Sequence, residues 1–104
     1  MKAISAKDLE VMRRNAGAAA AMMAALSHEA RLRVLCDLVG GERMAGELVE
    51  ASGLSQSALS QHLARLRAEG LVSTRREGQV IFYSISNPDA AHILTVLHNI
   101  YCKR

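Results

Sequence analysis

The chain has 104 residues, of which 50% are hydrophobic and 22% charged, with one proline and three aromatic residues. This length fits a single small domain, and the composition excludes a disordered chain, a collagen-like repeat, a disulfide-stabilised miniprotein and a membrane-spanning run. The formal net charge of +3 lies entirely in residues 55–104. A basic half is compatible with a phosphate-rich partner, although ordinary surface charge explains it as well.

The N-terminal segment predicts an amphipathic helix rather than a secretion signal. Basic residues followed by small apolar ones imitate a signal peptide, but Asp8 and Glu10 interrupt the basic region. The two cysteines, Cys36 and Cys102, are 66 positions apart and form no CxxC motif, so neither a zinc ribbon nor a thioredoxin-like site is supported. We therefore expect a cytoplasmic protein with reduced thiols and no membrane partner.

The first half of the chain predicts three helices. Apolar residues spaced by three and four predict a first helix from Ala6 to about Ala25. Ser27 predicts the N-cap of a second helix, which ends at Gly40-Gly41. Its expected apolar face is Leu32, Leu35, Cys36 and Val39. A short third helix, about Ala45–Ala51, ends at Gly53.

The second half predicts one more helix, a hairpin and a last helix. Ser55 predicts the N-cap of a fourth helix, Gln56–Glu69, and a glycine-containing turn joins strands Leu71–Arg76 and Val80–Ser86. Asn87-Pro88 predicts the start of a last helix that runs to the chain end. The expected inward residues of the fourth helix are Leu59, Leu63 and Leu66, and the apolar side of the last helix is Ile93, Val96, Leu97 and Ile100.

This order of elements predicts a mainly α-helical winged helix-turn-helix with a small β-hairpin. Residues 1–104 form one domain with five helices and a two-stranded wing. Residues 44–69 form the helix-turn-helix and residues 71–86 the wing.

The fourth helix carries a face of small polar residues that suits the major groove of double-stranded DNA. A Gln side chain can pair bidentately with adenine, and Ser with several bases. The residues expected to read bases are Ser55, Gln56, Ser57, Ser60 and Gln61. The residues expected to meet phosphates are Arg65, Arg67, Arg75, Arg76 and Gln79. The alternative is a merely solvated face, while the lack of Trp argues against stacking on single strands.

Three segments resemble the ArsR/SmtB family of dimeric winged-helix repressors, which leave DNA when an inducer binds. These segments are Ala25–Leu32, Leu54–Leu63, and Leu66-Arg67 with Gly70-Leu71-Val72. The resemblance implies a homodimer formed through the first and last helices, residues 1–26 and 87–104. Its two recognition helices would lie roughly 34 Å apart on a palindromic operator.

Many members of the family sense metals, and this sequence lacks their ligand patterns. The third helix has no Cys-x-Cys unit. Asp89 and His92 could share a helical face, but His98 lies about 240° around the helix from His92. Zinc requires three or four converging ligands. We therefore predict no metal site and no cofactor, and keep a metal-responsive repressor as an alternative.

The surroundings of the cysteines resemble the redox- and persulfide-sensing branch of the family. The matching segments are Val34-Leu35-Cys36 and Leu97–Cys102. The resemblance implies a repressor whose two thiols become a disulfide or polysulfide bridge when reactive sulfur or an oxidant acts as inducer. A bridge across 66 positions constrains the chain by about 4 kcal/mol in the loop-entropy model. The alternatives are inert cysteines and an activator or anti-repressor of the same branch.

An enzyme is not predicted. Cys102 as nucleophile with His98 as base would lack an orienting third group and an oxyanion site. His98, Lys103 and Arg104 could instead favour the Cys102 thiolate, against the dipole at the helix C-terminus. A protein-interaction module without DNA affinity remains a second alternative.

Overall fold

The computed structural model describes residues 3–102 of the chain, so Lys103 and Arg104, predicted to act on Cys102, lie outside the described residues. The helices are α1 Ala6–Arg14, α2 Ala16–Leu26, α3 Glu29–Leu38, α4 Ala45–Ser52, α5 Gln56–Ala68 and α6 Pro88–Tyr101. The strands are β1 Arg43–Met44, β2 Val72–Glu77 and β3 Val80–Ile85. No helix in this part of the chain is long and apolar enough to span a membrane.

The predicted count of five helices is wrong, because the expected first helix is two helices. Asn15 separates α1 from α2, and its backbone N–H donates to the carbonyl oxygens of Val11 and Met12, both at 3.1 Å. Asn is a poor helix former because its side chain offers the backbone other hydrogen bonds. The apolar spacing continues across the break, so periodicity alone did not reveal it.

The predicted two-stranded wing is also wrong in its strand count. The hairpin of β2 and β3 is present, but β1 adds a third antiparallel strand, and the order is β1-β3-β2. Strand β1 has only two residues, too few for an alternating pattern to be recognised. At the hairpin turn Gly78 has φ 63°, a conformation that other residues rarely adopt.

Helix α3 begins one residue later than predicted and buries a different face. His28 caps it, since its Nδ1 accepts from the backbone N–H of Ala30 at 3.2 Å, whereas the hydroxyl of Ser27 donates to Ala24 of α2. The buried residues of α3 are Arg31, Val34, Leu35 and Leu38. The buried face begins with the charged residue Arg31. The apolar pattern in the sequence therefore starts one position later, at Leu32, and wrongly predicts that the exposed Cys36 and Val39 lie on the buried face.

The helix-turn-helix has the predicted caps. Helix α4 ends at Gly53, whose φ of 72° is left-handed. The hydroxyl of Ser55 accepts from the backbone N–H of Ala58 at 3.1 Å and so begins α5. The predicted inward residues Leu59, Leu63 and Leu66 are buried. They join a core that receives aliphatic side chains from α2, α3, α4, β2 and α6, which holds α5 with its polar face outward.

Candidate nucleic-acid interface and cysteine cleft

The ten residues predicted to contact DNA are all exposed. They are Ser55, Gln56, Ser57, Ser60, Gln61, Arg65, Arg67, Arg75, Arg76 and Gln79. The α5 members lie on the side opposite the buried leucines, and the small ones occupy its first two turns. A helix with small polar side chains at its exposed N-terminus can enter a major groove that is about 12 Å wide.

Two arginines approach one carboxylate at the end of α5. Glu69 accepts from Nε of Arg65 at 3.2 Å, and its other oxygen lies 3.8 Å from Nη1 of Arg31. Arg31 is buried, and its contact with Glu69 joins α3 to the recognition helix. This ion pair is therefore a side-chain link between α3 and the end of α5, in addition to the core that the two helices share.

In the wing, Arg75 is engaged with carboxylates, whereas Arg76 has no ion-pair partner among residues 3–102. Arg75 contacts Glu42, Glu77 and the ring of Phe82. No local sequence pattern relates Glu42 to Arg75, which lies 33 positions later, so this contact is not predictable from the sequence. A phosphate contact by Arg75 would have to compete with these partners.

A histidine pair connects α3 to the recognition helix. The ring centroids of His28 and His62 are 5.0 Å apart, with a 54° tilt. Partial burial, then the neighbouring His28, Arg31 and Arg65, lower the pKa of His62. Protonation of His62 would add a positive charge to a site that already holds cations.

We expect acidification to destabilise the fold through His62. A pKa below the unfolded value means that the unfolded chain binds more protons, so the free energy of unfolding falls as the pH drops below about 6.5. In His62→Gln this loss should be smaller. Urea unfolding at pH 7.5 and 5.5 measures it, with His92→Gln on the exposed side of α6 as the matched control. An equal loss in His62→Gln and wild type would contradict the assignment.

The structure places Cys36 and Cys102 in the same cleft, which has a volume of about 230 Å³. Its lining residues are Leu32, Cys36, Leu97, His98, Tyr101 and Cys102. Both cysteines are free and exposed. Partial burial of the thiol, then Asp37, then Cys102 raise the pKa of Cys36. The cleft lies between α3 and the end of α6. One of its walls therefore belongs to the body of the domain and the other to the last helix.

Within residues 3–102, no three His, Cys, Asp or Glu side chains converge on a point where a metal ion would be held. His98 lines the cysteine cleft, whereas Asp89 and His92 lie at the other end of α6.

A helix pair with a glycine turn, a polar recognition face and a basic hairpin defines a winged helix-turn-helix protein that binds DNA. The family model described as bacterial regulatory protein, arsR family, matches residues 28–74. The transcriptional activator HlyU of Vibrio cholerae is 44% identical over 92% of this chain and 89% of its own. The biofilm growth-associated repressor of Xylella fastidiosa is 41% identical over 89% of this chain and 82% of its own. The chain therefore belongs to the arsR family and is a DNA-binding transcriptional regulator.

Solved structures agree with this assignment. Reduced HlyU from Vibrio cholerae superimposes with a TM-score of 0.84 at 44% identity, covering 90% of this chain and 99% of that one. The homodimeric winged helix-turn-helix DNA-binding domain Mb0332 from Mycobacterium bovis has a TM-score of 0.71 at 28% identity, covering 96% of this chain and 89% of that one. The predicted family and the winged fold are confirmed.

Proposed function

We propose that the protein is a homodimeric repressor that leaves its operator when reactive sulfur or an oxidant joins Cys36 to Cys102. The observation that carries this proposal is that two cysteines 66 positions apart line one apolar cleft. Both are exposed, so a small reagent can reach them. The alternative of buried, inert cysteines does not fit this exposure.

The dimer is proposed on the exposed apolar residues of the terminal helices. Helix α1 buries none of its residues. Exposed apolar side chains on the N-terminal segment and α6 include Ile4, Leu9, Met12, Val96, Ile100 and Tyr101. A second copy that covered these faces would stabilise the dimer by about 25 cal/mol for each Å² of apolar surface that is buried. The related Mycobacterium bovis domain is homodimeric. Two-fold symmetry would then present two recognition helices to a palindromic duplex.

In that complex the small polar residues of α5 read bases, while the cations fix the position on the backbone. Gln56, Ser57 and Gln61 lie on the outer face of the first two turns. Arg65 and Arg76 are exposed for phosphates, with Gln79 at the tip of the wing. Phosphate contacts set the register, and base contacts set the sequence preference.

A hydropersulfide, RSSH, can act as the oxidant that forms the disulfide between Cys36 and Cys102. One cysteine thiolate attacks the outer sulfur of RSSH, forms Cys–S–SH and releases RSH. The second thiolate attacks the inner sulfur of that persulfide, forms the disulfide and expels HS⁻. Overall, the two cysteine thiols lose two protons and two electrons, and RSSH is reduced to RSH and sulfide. Peroxide yields the same bridge through a sulfenic acid and two waters.

Joining the thiols would constrain α6 against α3. Helix α3 packs on α4 and meets α5 through the contact of Arg31 with Glu69, while α6 carries part of the proposed dimer surface. A shift in either element changes the spacing of the two recognition helices. The loop-entropy model gives about 4 kcal/mol for the bridge, and an allosteric coupling of 1–3 kcal/mol requires only part of it.

The test combines intact-mass spectrometry with operator binding. The protein is treated separately with a hydropersulfide, a disulfide and peroxide, and binding is measured on an operator selected from a random duplex library. We expect a mass change of two hydrogens, or of added sulfur, together with weaker binding. A bridge that forms with unchanged operator affinity would refute the switch. Unmodified thiols after all three reagents would refute the thiol chemistry.

An activator role is the second candidate, because the relative HlyU is named an activator. Binding measurements do not separate repression from activation. A reporter placed downstream of the selected operator does: repression lowers transcription when the reduced protein is present, whereas activation raises it.

A further inference from the structure

We infer that Arg75 is a positioning residue, which holds the wing to the body of the domain through Glu42, and is not a phosphate contact. Three of its N–H groups are occupied. Nε and Nη2 donate to the two carboxylate oxygens of Glu42 at 3.1 and 2.6 Å, and Nη1 donates to Glu77 at 2.9 Å. Bidentate pairs between guanidinium and carboxylate are among the stronger hydrogen-bonded ion pairs.

The side chain of Arg75 crosses the sheet. Arg75 lies on the edge strand β2, Glu42 directly precedes the opposite edge strand β1, and Phe82 of the central strand lies between them. Phe82 is the cross-strand partner of Arg75, and its ring centroid is 4.4 Å from the guanidinium carbon. One face of the wing therefore carries a continuous contact from β2 to the segment before β1.

That segment is itself attached to α3. Nε of Arg43, the neighbour of Glu42, donates to the backbone oxygen of Asp37 at 2.9 Å. Arg75 thus reaches the body of the domain through Glu42 and the connector between α3 and β1 (residues 39–42), which the bond from Arg43 to Asp37 anchors. Strand β1 pairs with only two residues of the hairpin, and a two-stranded hairpin alone is only marginally stable. Fixing it before DNA arrives reduces the entropy that is lost on binding.

The charges around Arg75 argue against a phosphate contact. Glu42 and Glu77 together outweigh its single positive charge, so a phosphate that approached the two remaining N–H groups would meet a net negative site. The hydrogen bond from Arg75 lowers the pKa of Glu42 and keeps that carboxylate ionised. Arg76 points to the opposite face of the strand and remains the wing cation available to DNA.

The test compares Glu42→Gln with Glu77→Gln in the full-length protein, on a mixed-sequence duplex of about 30 base pairs at low salt. Each variant removes one negative charge, and charge alone predicts that both bind DNA more tightly. Of these two carboxylates only Glu42 lies outside the hairpin, so we expect Glu42→Gln to weaken binding about three- to fivefold and Glu77→Gln to bind equally or more tightly. Tighter binding by Glu42→Gln would overturn the inference.

The salt dependence separates positioning from phosphate contact at the arginines. We expect Arg75→Gln to weaken binding without changing the slope of log K against log salt, whereas Arg76→Gln lowers that slope by about 1. Arg75→Lys should not restore affinity, because lysine cannot make the bidentate pair. A lowered slope in Arg75→Gln, or full affinity in Arg75→Lys, would make Arg75 a phosphate contact.

Hydrogen exchange of the free protein supplies a measurement that does not depend on DNA or on the cysteine switch. Amides of residues 76–81 should exchange faster in Glu42→Gln and Arg75→Gln than in Glu77→Gln. Equal exchange in all three variants would refute the positioning role even where DNA binding changes.

Discussion

A Cys102→Ser variant is expected to bind the operator as tightly as wild type when reduced, and to keep that affinity after hydropersulfide or peroxide treatment. The serine hydroxyl cannot complete a bridge to Cys36, so the cleft between α3 and α6 is not constrained. Treated wild type should lose about 5- to 150-fold in affinity, which corresponds to a coupling of 1–3 kcal/mol. Fluorescence anisotropy on the selected operator, before and after treatment, measures the difference.

Cys36→Ser should also keep its affinity, but its chemistry should differ. Partial burial, then Asp37 and Cys102, raise the pKa of Cys36, so this thiol carries less thiolate at neutral pH than an ordinary cysteine. Cys102→Ser, which keeps only Cys36, should therefore react slowly, whereas Cys36→Ser should still acquire a persulfide at Cys102. The Cys36→Ser/Cys102→Ser double variant is the control for effects of the reagents elsewhere. Release of DNA from treated Cys102→Ser would contradict the bridge.

The elements that the sequence predicted well are those fixed by local chemistry. Ser55 caps α5, and Asn87 caps α6 by accepting from the backbone N–H groups of Asp89 and Ala90. Gly78 lies in the hairpin turn. In each case a side chain, or the lack of one, satisfies a requirement of its own backbone, and such requirements are visible within a few residues of sequence.

The features that the sequence did not predict depend on distant partners or, for the break between α1 and α2, on the single residue Asn15. Strand β1 exists because β3 pairs with it, and the bonds from Arg75 to Glu42 depend on that sheet. Arg31, a charged residue, opens the inward face of α3, and its ion-pair partner Glu69 lies 38 positions later. The cysteine cleft was expected only from a resemblance, since the spacing of two cysteines does not determine that they meet.

The second large effect is expected at the recognition helix. Gln61→Ala should lower operator affinity roughly 10- to 100-fold, because a bidentate contact between Gln and adenine contributes about 1–3 kcal/mol of base discrimination. Its affinity for mixed-sequence duplex should stay within about twofold of wild type, since no phosphate contact is removed. Gln61 is exposed on α5, so the substitution leaves the packing of Leu59 and Leu63 intact.

Arg76→Ala provides the contrast, because loss of a phosphate contact should weaken operator and mixed-sequence binding equally and reduce the salt slope by about 1. Arg33→Ala is the matched control, since it removes the same charge from an exposed position of α3, outside the helix-turn-helix and the wing. Anisotropy titrations on both duplexes at several salt concentrations measure all three variants. If Gln61→Ala lowered both affinities in parallel, Gln61 would act on the backbone, and base reading would have to come from other residues of α5.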